Sequence, residues 1–167
     1  MLKKLLKGVD RISDVFAWLA APMPFIASIM VVYEIIMRTV FHRPTVWAFE
    51  LTAFMCGACY FLGGAWNVKN GTHVRVDFIY VLFPLRGQAV LDILNYIFQV
   101  LYIGVMIRVI WPYVVQAVKL NESSWTFWNP LIWPMKIIML IGFVLVFMQL
   151  TAQFIRNVHL TIKGRAL

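Results

Sequence analysis

Within 167 residues the chain carries four apolar stretches of membrane-crossing length, at about residues 15–37, 47–67, 89–113 and 131–155. A hydrocarbon core about 30 Å thick takes about 20 helical residues to traverse. Four crossings leave almost nothing for a soluble domain. The fold expected is therefore an all-α integral membrane protein: four transmembrane helices forming a single membrane domain over residues 1–167. An amphipathic segment (about residues 1–14) and an interfacial helix in the middle loop complete it.

Charged residues make up only 13% of the chain and hydrophobic residues 62%, against roughly one quarter charged in soluble domains. The net charge of +8 gives orientation and no sign of a nucleic-acid partner. Lys3, Lys4, Lys7, Arg11, Lys69, Arg75, Arg86, Arg156, Lys163 and Arg165 fall on one side of the spans, while Arg38, Arg43, Arg108, Lys119 and Lys136 fall on or toward the other. Positive residues accumulate on the cytoplasmic face, so both termini and the middle loop are expected there. The basic start resembles a signal peptide, but the uncharged run over residues 15–33 is long and no polar mature domain follows, so the first span is expected to be retained. Ahead of it Leu2, Leu5, Leu6, Val9, Ile12 and Phe16 recur at helical spacing opposite Lys3, Lys4, Lys7, Asp10 and Arg11. That pattern suits a helix lying on an anionic leaflet.

Trp47 and Trp66 bracket the second span, about 28 Å apart along a helix, as indoles at two bilayer interfaces would be. Between them Ala53, Cys56, Gly57, Ala58, Cys59, Gly63, Gly64 and Ala65 form a small-residue surface. Lipid tails are as apolar as leucine, so spans associate through close packing, which small residues permit. Cys56 and Cys59 read as packing residues of that surface, because a thiolate site in hydrocarbon is costly. Glu34 and Arg38 share a helical face at the favourable i, i+4 spacing. Asp92, Asn95, Gln99 and Tyr102 make a polar stripe along the third span; a polar group facing lipid without a partner is costly, so the stripe should look inward or toward another protein. The middles of spans one, two and four are almost wholly apolar and no inverted repeat is evident, which disfavours a solute path through the chain. No nucleophile–base pair or metal-ligand cluster stands out, so the chain is not expected to be an enzyme.

The middle loop runs Asn70-Gly71-Thr72-His73-Val74-Arg75-Val76-Asp77 and then Phe78-Ile79-Tyr80-Val81-Leu82-Phe83-Pro84. Asn-Gly marks a turn, and Asp77 can cap a short interfacial helix. Trp47-x-x-Glu50 at a span start, the stretch ending Gly63-Gly64-Ala65, and Asn70-Gly71-x-His73-x-Arg75-Val76-Asp77 before an apolar segment ending in proline together resemble the small membrane subunit of TRAP transporters (tripartite ATP-independent periplasmic transporters, DctQ-like). The resemblance covers roughly residues 12–158, including the loop from Ser123-Ser124 to Pro130 before the last span.

It implies a scaffold subunit that braces a large elevator-type membrane subunit. The large subunit would hold the substrate and sodium sites; this subunit would carry no cofactor. An extracytoplasmic binding protein would deliver an organic acid of the C4-dicarboxylate, keto acid or sialic acid type. The expected partner-interface residues are Trp47, Glu50, Gly57, Gly64, Gly71, His73, Arg75, Asp77, Asp92, Asn95 and Gln99, with the second and third spans against the partner. Arg43, Lys119, Glu122, Trp125 and Trp128 are the expected contacts for the binding protein. The competing readings are a stand-alone small transporter and the membrane anchor of a redox enzyme.

Overall fold

A computed structural model describes the backbone of residues 2–71 and 85–163, with side chains for 4–71 and 95–156. Five helices follow in order: α1 (Leu2–Ala20), α2 (Met23–Thr39), α3 (Ala48–Lys69), α4 (Leu85–Lys119) and α5 (Trp133–Lys163). Four stretches among the described residues are long and apolar enough to span a membrane: Lys4–Thr39, Ala48–Lys69, Asn95–Lys119 and Trp133–Arg156. The protein is an all-α membrane protein. Large apolar side chains such as Trp18, Phe25, Tyr60 and Phe98 are exposed around the bundle, an aggregation hazard in water and an ordinary lipid-facing surface in a bilayer.

The first helical unit departs from expectation at its joint. Rather than changing character near residue 14, α1 runs unbroken to Ala20, and a two-residue turn at Ala21-Pro22 leads into α2. Pro22 and Pro24 both lack the N–H that would continue the ladder, so the break falls where the donors are missing. Along α1, Leu6, Ser13 and Ala20 are buried at seven-residue intervals, and this stripe lies on α3 and α5. α1 is thus packed into the bundle along one side.

α3 has α1, α2 and α5 all against it. Its small residues make this possible. A methyl on Gly57 would meet Met135 Cε at 2.5 Å and one on Gly64 would meet Val146 Cγ2 at 3.2 Å, while at Gly142 of α5 it would meet the Phe61 carbonyl oxygen at 2.5 Å. α3 and α5 therefore touch almost backbone to backbone and run parallel. Ala20, Leu62, Ala65 and Leu145 form the adjoining core, with Cys59 packed on it. Asn70 caps α3, and Gly71, at φ +67°, takes the left-handed conformation after it, the usual way a helix ends on glycine.

α4 rests chiefly on α5. Gly104 lies opposite Phe147, whereas Tyr113 and Gln116 share a pocket with Lys136, so the two helices are antiparallel. α4 continues six residues past the expected span end, to Lys119. Its Pro112 interrupts one ladder bond without ending the helix.

Candidate partner interface

Ionised groups gather in two belts, one at each end of the bundle. At the end holding the start of α1 and the close of α5, Arg156 Nη2 donates to Asp10 Oδ2 at 2.6 Å and Gln149 Nε2 donates to Asp10 Oδ1 at 3.0 Å. Ser13 Oγ donates to Gln149 Oε1 at 3.3 Å. Lys69 Nζ bridges both Asp14 oxygens at 2.6 and 2.7 Å. Gln149 and Ser13 are almost wholly buried. Asp10, read from the sequence as part of a solvated face, instead turns into the bundle because α5 offers it a guanidinium and an amide.

At the opposite end Glu34 accepts Arg38 Nη2 at 2.8 Å and also takes the Thr45 amide at 3.0 Å and the Thr45 hydroxyl. The Glu34–Arg38 pairing matches the i, i+4 expectation, and it ties the α2–α3 loop down as well. Trp47 stacks on Tyr33 with centroids 6.1 Å apart. Glu50 is half-buried; the Ser124 hydroxyl donates to it at 3.4 Å, and no cation reaches it among the described residues. Lys136 Nζ donates to Glu122 Oε2 at 2.5 Å.

The loop between α4 and α5 is a tight hairpin-like tongue. Ile132 N donates to the Glu122 carbonyl and Ser124 N to the Pro130 carbonyl, both at 2.9 Å. Trp125 N donates to Asn129 Oδ1 at 3.1 Å. Asn121, Trp125 and Asn129 all take positive φ, which bends the backbone and throws Trp125 (90% exposed) and Phe127 (101% exposed) outward. Of the residues expected to meet a binding protein, Arg43, Lys119, Trp125 and Trp128 are exposed. Glu122 is paired with Lys136 of α5, and its side chain keeps 38% of its exposure. Phe127 escaped the sequence reading, although an aromatic cluster in a polar loop was the signal for it.

The expected membrane-partner residues separate into groups. Gly57 and Gly64 face Met135 and Val146 of α5 within the chain, whereas Gly71 is exposed at the end of α3 with open space around its Cα. Asn95 is exposed on α4. His73, Arg75, Asp77, the Asp92 side chain and the expected middle-loop helix lie outside the described residues. Gln99 lines a groove of about 440 Å³ between α3 and α4, floored by α5, with Tyr60, Phe61, Tyr102 and Phe143. Both walls pack on α5 more than on each other, so the cleft opens sideways toward the bilayer. Gln99 and Tyr102 have no side-chain hydrogen-bond partner among the described residues.

A family model described as "Tripartite ATP-independent periplasmic transporters, DctQ component" matches residues 27–160. The match starts within α2 and runs through α3, α4 and most of α5, leaving α1 outside it. No curated protein matches the chain.

Proposed function

Because this chain belongs to the DctQ family, the small membrane component of TRAP transporters, we propose that it is the scaffold subunit of a sodium-coupled, binding-protein-dependent transporter for organic acids. In this reading it braces a large elevator-type subunit that carries the solute and the sodium sites. The observation that carries it is the lateral groove between α3 and α4. An apolar cleft that opens to the bilayer and presents the Gln99 amide and the Tyr102 phenol, neither hydrogen-bonded through its side chain among the described residues, suits a neighbouring membrane helix. No polar file crosses the bundle among the described residues, whose ion pairs lie in the two belts at its ends. That arrangement favours a brace over a stand-alone transporter.

The basic belt of α1 and α5 would face the cytoplasm, in the inner membrane, and the aromatic tongue would face the binding protein. α1, held along the bundle rather than free on the leaflet, would widen the footprint that resists tilting. The substrate would be a C4-dicarboxylate, keto acid or sialic acid.

Two experiments test this. Proteoliposomes holding the large subunit, this chain and the binding protein should take up an organic acid on a sodium gradient, while this chain alone should give no flux. Unaided flux would end the scaffold reading. The Gln99→Leu, Tyr102→Ala double variant should cut recovery of the large subunit in affinity purification by about tenfold, since two modest intramembrane contacts together amount to about 1.4 kcal/mol. Wild-type recovery would remove the groove from the interface.

For the tongue, Trp125→Ala with Phe127→Ala should weaken capture of the binding protein by the assembled transporter about tenfold or more, as loss of exposed aromatic anchors does. The melting temperature should not change, because neither ring is buried in this chain. Unaltered capture in a surface-binding assay would assign these rings to the lipid interface instead.

A further inference from the structure

Arg108 sits where an unpaired cation is least tolerated. Gly104 is level with Phe147, and α4 and α5 run antiparallel, so Arg108 is level with about Phe143. On α5 that position is about 10 Å from Lys136 in one belt and about 9 Å from Gln149 in the other. Arg108 is therefore close to mid-depth. The residues of α4 that pack on α5 and α3 include Ile103, Ile110, Val114 and Ala117; at 100° per residue Arg108 points more than a right angle away from them, on the face of Leu101, Val105 and Pro112. It is exposed and has no ion pair or hydrogen bond among the described residues.

A guanidinium does not discharge by losing its proton. An extended arginine side chain, roughly 7 Å long by ordinary bond lengths, stops short of headgroups about 15 Å from the midplane of a 30 Å core. Pro112 adds a second polar demand on the same face, because it lacks the N–H that would bond the Arg108 carbonyl. A second copy docking by this face would offer Arg108 no counter-charge, since a two-fold contact uses the same patch on both copies and this face carries no acid among the described residues.

We propose that this outward face of α4 is a docking surface for the large membrane subunit, and that Arg108 receives a carboxylate of that subunit inside the bilayer. The proposal rests on the scaffold reading above and adds a second contact, on the side of α4 away from the groove, so that the partner grips α4 from both flanks. Intramembrane charges are satisfied by facing other protein, and the Arg–carboxylate fork is the pairing that satisfies this one.

Arg108→Leu and Arg108→Glu, each co-expressed with the large subunit, should reduce its affinity-purified recovery at least tenfold. The variants should express, melt and elute from gel filtration like wild type on their own, because Arg108 is exposed and makes no hydrogen bond or ion pair among the described residues. A photo-crosslinking residue at Val105 should label the large subunit. Recovery within twofold of wild type for Arg108→Leu, or crosslinks only to lipid or to a second copy, would overturn the proposal while leaving the scaffold reading intact. Failure of wild-type chain to recover the large subunit would sink both.

Discussion

Replacing Gly142 by leucine is expected to lower the melting temperature of the purified subunit by about 10 °C, the counterpart of about 3 kcal/mol in a chain of this length. The physical reason is the nature of what a side chain would meet. At Gly142 even a Cβ would lie 2.5 Å from the Phe61 carbonyl oxygen, 2.7 Å from Phe61 Cβ and 2.8 Å from its carbonyl carbon. None of these atoms can rotate aside, so α3 and α5 must separate, and the contacts of Ala20, Leu62, Ala65 and Leu145 loosen with them. Gly57→Ala is the informative contrast: there the clash is with the methyl end of Met135, a side chain flexible enough to move. Gly63→Ala meets nothing within 4 Å and should be neutral or slightly stabilising through helix propensity. Equal melting for Gly142→Leu and Gly63→Ala would show that the close approach does not govern this seam.

The second large effect is expected at the belt joining α1 to α5. Arg156→Met leaves the Asp10 carboxylate with the Gln149 amide as its hydrogen-bond donor and the more distant charge of Lys69. A buried pair broken on one side costs about 3–5 kcal/mol, but the Arg156 and Asp10 side chains keep 25% and 22% of their exposure, and solvent screening lowers the figure to about 2 kcal/mol. Asp10→Asn removes the charge that needs compensation, so the double variant should recover part of the loss. A coupling of about 1 kcal/mol or more in the double-mutant cycle is expected from thermal denaturation. Strict additivity would mean that the guanidinium and the carboxylate act separately. Because residues 10 and 156 lie 146 apart in the chain, this pair also locks the two termini of the bundle together.

Several features of the fold were open to reading in the residues themselves. Span number and approximate limits follow from apolar run length, and the Glu34–Arg38 pairing follows from helical spacing. So did the small-residue seam of α3, though not the identity of its neighbour: Gly57 and Gly64 look equally suited to a partner helix or to α5. The buried polar network was missed because Ser13 and Gln149, taken one at a time, are unremarkable, and Asp10 shares a helical face with lysines. Only the juxtaposition of α1 and α5 gives these residues a purpose. Phe127 and Trp125 were half-legible as aromatics in a polar loop, while the positive φ angles that turn them outward depend on hydrogen bonds across the tongue.

What the sequence determined by itself is the solvent of this protein. The length and purity of its apolar runs commit it to a bilayer, since no soluble fold could bury them, and the placement of lysine and arginine biases its orientation. What tertiary structure alone decided is which polar groups are already satisfied and which remain to be met. Asp10, Asp14 and Glu122 find cations inside the chain, whereas Gln99 and Arg108 find no partner among the described residues. The difference arises because hydropathy is a property of single residues summed along the chain. Satisfaction is a property of pairs, and pairs far apart in sequence exist only once the helices have chosen their neighbours.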